Sequence, residues 1–186
     1  MPMVQQFALP LAAAALLGTV ACSPRSESNQ AGETGETAAA GHTIEQKANL
    51  ANFDDLDFRV YSSQKWDEFP KSHAPDIIVH YPDGSTTTGL PQHLEKLKPQ
   101  FAFAPDTKIK EHPIRLADRN YTAVQGIMTG TFSRPMDLGN GKVLQPTGKS
   151  FSLPMFTVGR WENGLMKEEW LFWDNAAFMT QIGAGQ

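Results

Sequence analysis

Two ionisable side chains stand inside strand-like apolar stretches, where they could carry out proton chemistry. Glu169 lies in the segment Leu165–Trp173, and His80 lies near the end of the segment Asp76–Tyr81. Burial in an apolar cavity raises the pKa of a carboxyl group, which then serves as a general acid or base near neutral pH. An imidazole titrates near that pH and can orient a substrate oxygen or pass on a proton. We therefore expect Glu169 and His80 to form a catalytic pair.

Each member of this pair has a structural alternative. Glu169 could pair with Lys167 or Lys110 at the rim of a pocket, or be solvated. His80 could be a histidine at the edge of the core that is hydrogen-bonded to the backbone. Asp174 directly precedes the last predicted helix, so we expect it to cap that helix.

The remaining histidines indicate no cofactor. His73, His93 and His112 lack the spacing of metal-binding pairs such as His-x-x-x-His, so no metal site is predicted. The chain has no glycine-rich strand-to-helix turn for a dinucleotide. Its formal net charge of −4, without a basic cluster, also argues against nucleic acid as a partner.

The N-terminus is typical of an exported protein. Cys22, the only cysteine, follows the apolar run Phe7–Val20 and Ala21. This run has about 14 residues, too few to span a bilayer but enough for the core of a signal peptide. LLGTVAC resembles a lipobox, so we expect residues 1–22 to be a lipoprotein-type signal peptide and Cys22 to be lipidated.

The expected location is the cell envelope, where a lipidated Cys22 would anchor the chain to a membrane. By resemblance to lipoprotein sorting rules, Ser23 favours the periplasmic side of the outer membrane. The alternatives are a secreted protein with an incidental cysteine, or a cytoplasmic protein with a misassigned start codon. Residues 23–43 are mostly small and polar and predict a flexible linker, leaving 44–186 as one folded domain.

Hydrophobic periodicity and turn signals predict an α+β domain. The predicted elements are a helix from Ile44 to about Gln64, a short helix at Lys65–His73, a strand at Asp76–Tyr81, a helix at Pro91–Phe101, long strands at Lys108–Leu116, Tyr121–Phe132, Phe151–Trp161 and Leu165–Trp173, and a last helix at Asn175–Ile182. Ser133–Ser150 is predicted to be a loop. Helices followed by consecutive antiparallel strands give a curved sheet packed on the helices, with a cavity between them.

Four segments resemble the SnoaL-like polyketide cyclase (ester cyclase-like) family of the nuclear transport factor 2-like superfamily. They are VHYPDG at Val79–Gly84, TTGL at Thr87–Leu90, PTGK at Pro146–Lys149 and EEWLFWDNAAFMTQIG at Glu168–Gly183. The resemblance implies a cone-shaped α+β fold, a small apolar ligand, no cofactor and a homodimer formed through the outer sheet face with Trp170 and Phe172.

The resemblance also indicates which residues face the pocket. In the family's cyclases a histidine falls on Glu169, the catalytic aspartate on Leu171 and a second aspartate on Asp174. Leucine cannot transfer a proton, so that cyclase mechanism is not expected. If Leu171 faces the pocket, strand alternation places Glu169 and Trp173 there too.

Further substrate contacts are expected around these positions. By the same alternation Met155 and Thr157 face inward from the preceding strand, and Thr157 stands where the cyclases carry another histidine. Tyr81, at the strand end where ketosteroid isomerases place their base, and Trp66 complete the predicted substrate contacts.

The sequence thus supports two functions. One is an acid/base enzyme of the cyclase, isomerase or hydrolase type that needs no cofactor. The other is a non-catalytic envelope lipoprotein that binds a small ligand or a partner.

Overall fold

The computed structural model describes residues 41–184. The predicted signal peptide, Cys22 and most of the predicted linker lie outside the described residues. Among the described residues, none of the helices combines the length and the apolar character needed to cross a membrane.

The first helix, α1 (Ile44–Asp55), begins with a reciprocal cap. Thr43 Oγ1 accepts a hydrogen bond from the Gln46 N–H, and the Gln46 side chain accepts one from the Thr43 N–H. The chain then widens into a π-type turn over Leu56–Tyr61 and continues into a 3-10 helix at Trp66–Lys71. The single helix predicted up to about Gln64 is therefore correct in position. Its second half, however, is a π-helical turn, which is wider than an α-helix.

Seven strands form the main sheet. They are β1 (His73–His80), β2 (Thr86–Thr88), β3 (Lys108–Ile109), β4 (Ile114–Asp118), β5 (Tyr121–Thr131), β8 (Ser150–Glu162) and β9 (Leu165–Trp173), with β6 (Met136–Asp137) and β7 (Val143–Leu144) in a separate hairpin. The order is β2-β1-β9-β8-β5-β3, and β4 also pairs with β5. All pairs are antiparallel except β1 with β9. The predicted α+β class with a curved antiparallel sheet is confirmed.

Two further helices pack on this sheet. Helix α2 (Leu90–Phe103) carries Pro91 in its first turn, where the missing N–H costs no helical hydrogen bond. Helix α3 (Asn175–Gln181) is capped by Asp174, whose carboxylate accepts a hydrogen bond from the Ala177 N–H at 2.9 Å. The predicted capping role of Asp174 is confirmed.

Two predicted segments differ from the structure. The strand predicted at Lys108–Leu116 is divided into β3 and β4 by residues 110–113, which include Pro113, and a proline has no N–H to donate to a sheet. The predicted loop Ser133–Ser150 contains the β6–β7 hairpin. The first difference matters for the site, because the interruption brings His112 under α1.

The core lies between the inner face of the sheet and the helices. Its fully buried members include Phe53, Phe69, Val79 and Trp161. The Trp161 indole N–H is satisfied by Thr122 Oγ1 at 2.9 Å, on the neighbouring strand β5. This end of the domain is filled by side chains, and a cavity remains farther along, between the sheet and the helices.

Candidate functional site

A cavity of about 380 Å³ lies between the inner sheet face and the helices. Most of its wall is apolar, with Tyr61, Leu97, Phe103, Met128, Leu153 and Phe178 among the lining residues. Six acidic, basic or histidine side chains also line it, namely Asp57, His73, Asp83, His93, Lys96 and Glu169. A cavity of this size suits a small organic molecule with few polar groups.

Five of the predicted substrate contacts line this cavity. Leu171 and Trp173 reach it from β9, Met155 and Thr157 from β8, and Tyr81 from the end of β1. The strand alternation inferred from the sequence therefore has the right phase. At the mouth, the Trp173 indole donates a hydrogen bond to Asn175 Oδ1 at 2.7 Å, which fixes the ring.

Glu169 lies in the cavity wall and is only 4% exposed. The alternative position at the rim is wrong, because Lys167 pairs with Asp76 and not with Glu169. Glu169 stands opposite Val79 of β1 and Gly159 of β8, deep in the sheet.

The predicted pairing of Glu169 with His80 needs correction, because His80 lies on the outer face of the sheet. Its Nε2 is 2.9 Å from Glu168 Oε1, and its ring stacks on Trp170 with centroids 5.2 Å apart. The parallel register sets His80 opposite Trp170 and Val79 opposite Glu169. Since side chains alternate along a strand, His80 and Glu169 face opposite sides.

Trp66 is also corrected as a substrate contact. Its ring packs against Phe69 and Phe101, with centroids 5.6 and 5.5 Å away, and it is not part of the cavity lining. The 3-10 helix turns this indole behind Phe69, which itself forms the cavity wall.

Two histidines, His73 and His93, lie next to Glu169. Their spacing in the sequence did not predict that they would be close together. His73 Nε2 is 3.9 Å and His93 Nε2 is 3.6 Å from Glu169 Oε2. The two imidazole rings stack at 5.4 Å, with 28° between their planes. We call these three residues the His–Glu–His cluster, and they form one polar end of an otherwise apolar cavity.

The outer nitrogen of each imidazole in the cluster has a partner of its own. His73 Nδ1 is 2.8 Å from Ser72 Oγ, and that hydroxyl donates its hydrogen to the Phe69 carbonyl at 3.1 Å. Ser72 therefore accepts from His73 Nδ1, and the other ring nitrogen, Nε2, faces Glu169. His93 Nδ1 is 2.9 Å from the Tyr81 hydroxyl.

The pKa of Glu169 differs from the sequence expectation. Burial raises the pKa of this carboxyl, as expected, but His73 and His93 outweigh burial and hold the pKa below its ordinary value. Burial also lowers the pKa of His93 to about 4, so this imidazole is neutral at pH 7. The expectation of a raised pKa was wrong because it did not include the two imidazoles.

A second ionisable group enters the cavity from the π-type turn. Asp57 Oδ2 is 2.9 Å from His112 Nε2, and His112 Nδ1 is 2.7 Å from Asp54 Oδ1. Arg115 continues this series of side-chain contacts by forming an ion pair with Asp54 Oδ2 at 2.6 Å. Burial raises the pKa of Asp57 above its usual range, although the contact with His112 opposes this effect.

The sequence carried weak signals for these additional residues. His93 lies on the buried face of α2 with Leu90, Leu97 and Phe101, so a histidine interrupts an apolar stripe. His73 precedes an irregularity in β1 that strand alternation does not anticipate. Asp57 follows an apparently regular helix, and nothing in the sequence indicates the π-type turn that directs it into the cavity.

The arrangement can serve three kinds of chemistry. Asp57, with its raised pKa, can hold a proton in an apolar setting and donate it. The His–Glu–His cluster can bind an oxygen or a hydroxyl of a ligand. Its three facing donor atoms also lie within 4.8 Å of one another, so these side chains can reach a common metal ion.

Of the comparisons with known sequences, one gives a family match. The sequence profile described as SnoaL-like polyketide cyclase matches residues 53–182. No curated protein sequence matches the chain.

Similar solved structures share the fold at low sequence identity. A protein described as a SnoaL-like polyketide cyclase, from Jannaschia sp. CCS1, is 20% identical with a TM-score of 0.67, over 78% of this chain and 98% of that one. IdmH, described as a polyketide cyclase from Streptomyces antibioticus, is 21% identical with a TM-score of 0.62, over 74% and 98%. A protein described as a polyketide cyclase from Xanthomonas campestris pv. campestris is 11% identical with a TM-score of 0.64, over 74% and 98%.

Proposed function

Because this chain belongs to the SnoaL-like polyketide cyclase family, we propose that its domain binds a small, largely apolar molecule and catalyses proton transfer on it. The reaction type is a cyclisation, an isomerisation or a hydrolysis. One observation carries the proposal: a largely apolar cavity contains two separate carboxyl groups, the buried Glu169 and the partly buried Asp57, each in contact with a histidine. Burying ionisable groups is costly, and such groups cluster at functional sites.

Asp57 is the proposed proton donor. Its raised pKa keeps the carboxyl group protonated at a higher pH than an ordinary aspartate, and a general acid is most effective when its pKa is near the working pH. His112 fixes its orientation from behind through the 2.9 Å contact. The carboxyl group is therefore presented to the cavity and does not rotate freely.

Glu169 is the proposed polar contact for the reacting part of the substrate. Together with His73 and His93 it offers the cluster that would hold a substrate oxygen or hydroxyl, while the apolar wall holds the remainder of the molecule. Leu171, Met155, Thr157, Tyr81 and Trp173 are the proposed substrate contacts of that wall.

A second candidate function is ligand binding without turnover at the cell envelope. Leu171 favours it, because this residue lines the cavity at the position where the family's cyclases carry their catalytic aspartate. In this alternative Asp57 and Glu169 contribute only to recognition.

A ligand screen tests these proposals. Polyketides, steroids, terpenoids and epoxides are screened by thermal shift on the wild type, Glu169→Gln and Asp57→Asn, and bound compounds are then followed by mass spectrometry for conversion. Glu168→Gln is the matched control, since Glu168 is the next residue but lies on the outer face with His80 and Arg160.

We expect Glu169→Gln to weaken ligand stabilisation and Glu168→Gln to leave it unchanged. We expect Asp57→Asn to retain binding but to convert substrate about 100-fold more slowly or worse, the usual contribution of a general acid. Conversion that is unaffected by Asp57→Asn would contradict the catalytic role. Ligands that bind the wild type without any conversion would support the second candidate function.

We also propose that Cys22 carries a lipid anchor that keeps the domain on the periplasmic side of the outer membrane. The support is the lipobox-like LLGTVAC sequence. Expression in a Gram-negative host with radiolabelled palmitate should label the wild type and fractionate it with outer membranes. Labelling that persists in Cys22→Ser would contradict the proposal, and release of an unlabelled wild-type chain into the medium would indicate secretion.

A homodimer through the outer sheet face is proposed from the family resemblance. Phe172 and Phe156 lie on that face and are 52% and 37% exposed. Light scattering should give the mass of two chains for the wild type and of one chain for Phe172→Asp. A wild-type monomer at micromolar concentration would contradict this proposal.

A further inference from the structure

We propose that the His–Glu–His cluster binds a divalent transition metal ion, with Zn²⁺ as the best-fitting candidate. The ligands would be His73 Nε2, His93 Nε2 and a carboxylate oxygen of Glu169. This inference goes beyond the proposed function and does not depend on turnover.

The donor atoms already converge. The 3.6 Å and 3.9 Å distances to Glu169 Oε2 compare with roughly 3.4 Å between the ligands of a tetrahedral zinc ion at 2.0–2.1 Å from each. All three donor atoms lie within 4.8 Å of one another, so side-chain rotations could bring them to the separations of a coordinated ion. Two imidazoles with one carboxylate form a known ligand set for catalytic zinc.

Two of the donor atoms lack another explanation. His73 Nε2 and Glu169 Oε2 are buried and have no hydrogen-bond partner among the described residues. Buried polar atoms are nearly always satisfied, and an orphan pair facing each other calls for a cation between them. Because Ser72 accepts from His73 Nδ1, the other ring nitrogen, Nε2, is the one that faces the carboxylate and would ligate a metal ion.

The partners of the outer nitrogens match those of metal-binding histidines. Such histidines commonly donate the other ring N–H to an acceptor, which fixes the ring and the tautomer. His73 has Ser72 Oγ in this position, and His93 has the Tyr81 hydroxyl, which is itself 3.1 Å from Thr87 Oγ1. Both rings therefore direct Nε2 toward Glu169 Oε2.

The site would keep an open coordination position. Its three ligands come from the start of β1, from α2 and from β9, so they approach from the wall while the cavity lies in front. An open position facing an apolar cavity is characteristic of catalytic rather than structural zinc sites. A bound cation would hold the substrate oxygen there, and Asp57 would remain the proton donor.

Metal titration of the full chain tests the inference. After treatment with a chelator, ZnCl₂ is titrated by calorimetry, and bound metal is counted by elemental mass spectrometry after dialysis. CoCl₂ supplies an independent signal, because its visible absorption reports nitrogen and oxygen coordination. The variants are His93→Gln and Glu169→Gln, and their matched controls on the outer face are His80→Gln and Glu168→Gln.

We expect one equivalent of Zn²⁺ in the wild type and in both controls, and at least tenfold weaker binding in His93→Gln and Glu169→Gln. Tyr81→Phe preserves the ring and the packing but removes the partner of His93, so it should weaken binding about 10- to 100-fold. If circular dichroism shows that His93→Gln or Glu169→Gln does not fold, Tyr81→Phe still tests the inference. Absence of stoichiometric binding, or binding that survives Glu169→Gln and Tyr81→Phe unchanged, would overturn the inference and leave a proton as the cation shared in the cluster.

Discussion

His112 is the residue on which the proposed proton donor depends, and its replacement by leucine gives a sharp test. The side chain is almost fully buried between Asp54 and Asp57 and packs against the rings of Phe53 and Phe58. Leucine has a similar volume, so His112→Leu removes both hydrogen bonds while largely preserving the packing.

The expected cost follows from the unequal positions of the two carboxylates. Asp54 retains Arg115 at 2.6 Å and is partly exposed, so its loss is small. Asp57, whose side chain is only 16% exposed, is left without its partner, and breaking a buried pair costs about 3–5 kcal/mol. Because the raised pKa of Asp57 allows it to take up a proton, we place the cost near the lower limit, at about 3 kcal/mol, or about 9 °C in Tm for a domain of this size.

This cost is measured by urea unfolding at pH 7. The proteins compared are the wild type, His112→Leu, Asp57→Leu and the double variant. Asp57→Leu together with His112→Leu replaces the buried pair by apolar groups, which is often nearly neutral. The double variant should therefore be more stable than His112→Leu alone, with a coupling of about 1.5 kcal/mol or more. A cost below about 1 kcal/mol for His112→Leu, or strictly additive single costs, would refute the reasoning.

Two further predictions concern the frame that holds the site. Asp174→Ala should destabilise the domain by about 1 kcal/mol, because the Ala177 N–H loses its cap, and Asp174→Asn should recover most of this loss in the same urea assay. Hydrogen bonds from Lys71 and Arg59 lower the pKa of Glu68 to about 2. Folding therefore favours ionised Glu68, and its stabilising effect is present above about pH 4.5 and lost as the pH falls toward 2. The Tm difference between the wild type and Glu68→Gln should accordingly shrink to zero near pH 2, and a difference that stays constant across this range would contradict the assignment.

The sequence was sufficient for the fold because local signals and burial agree along most of the chain. Alternation in Leu165–Trp173 gave the correct inward face of β9, and the position of Asp174 gave the correct cap. The Asn163–Gly164 turn, with both residues at positive φ, connects β8 to β9 as an Asn-Gly hairpin signal indicates.

The composition of the site was only partly predictable. Glu169 was identified because its strand is strongly patterned, but its true neighbours come from α2 and from the start of β1. Such contacts depend on how helices and strands that are far apart in the sequence pack together. Motifs that place two metal ligands within one helix or loop cannot reveal them. His80 was assigned to the cavity because the parallel register of β1 against β9, which places it outside, is set by the whole fold.

The cavity also suggests how function and stability are divided in this domain. The end of the sheet near Trp161 and Phe53 is filled by apolar side chains, while His73, His93 and Glu169 line the cavity. Polar groups that lower stability are retained where a ligand would use them.

If this cavity is the ligand site, a substitution that fills it should abolish ligand binding. Met155 lines the cavity, and its neighbour Phe156 lies on the outer face of the same strand. Ligand at about 100 times its Kd should stabilise the wild type by about 2.7 kcal/mol, or about 8 °C in Tm. We expect the compounds that stabilise the wild type to lose this effect in Met155→Trp and to keep it in Phe156→Trp. Equal ligand-induced shifts in the two variants would show that the ligand binds elsewhere and would contradict the account.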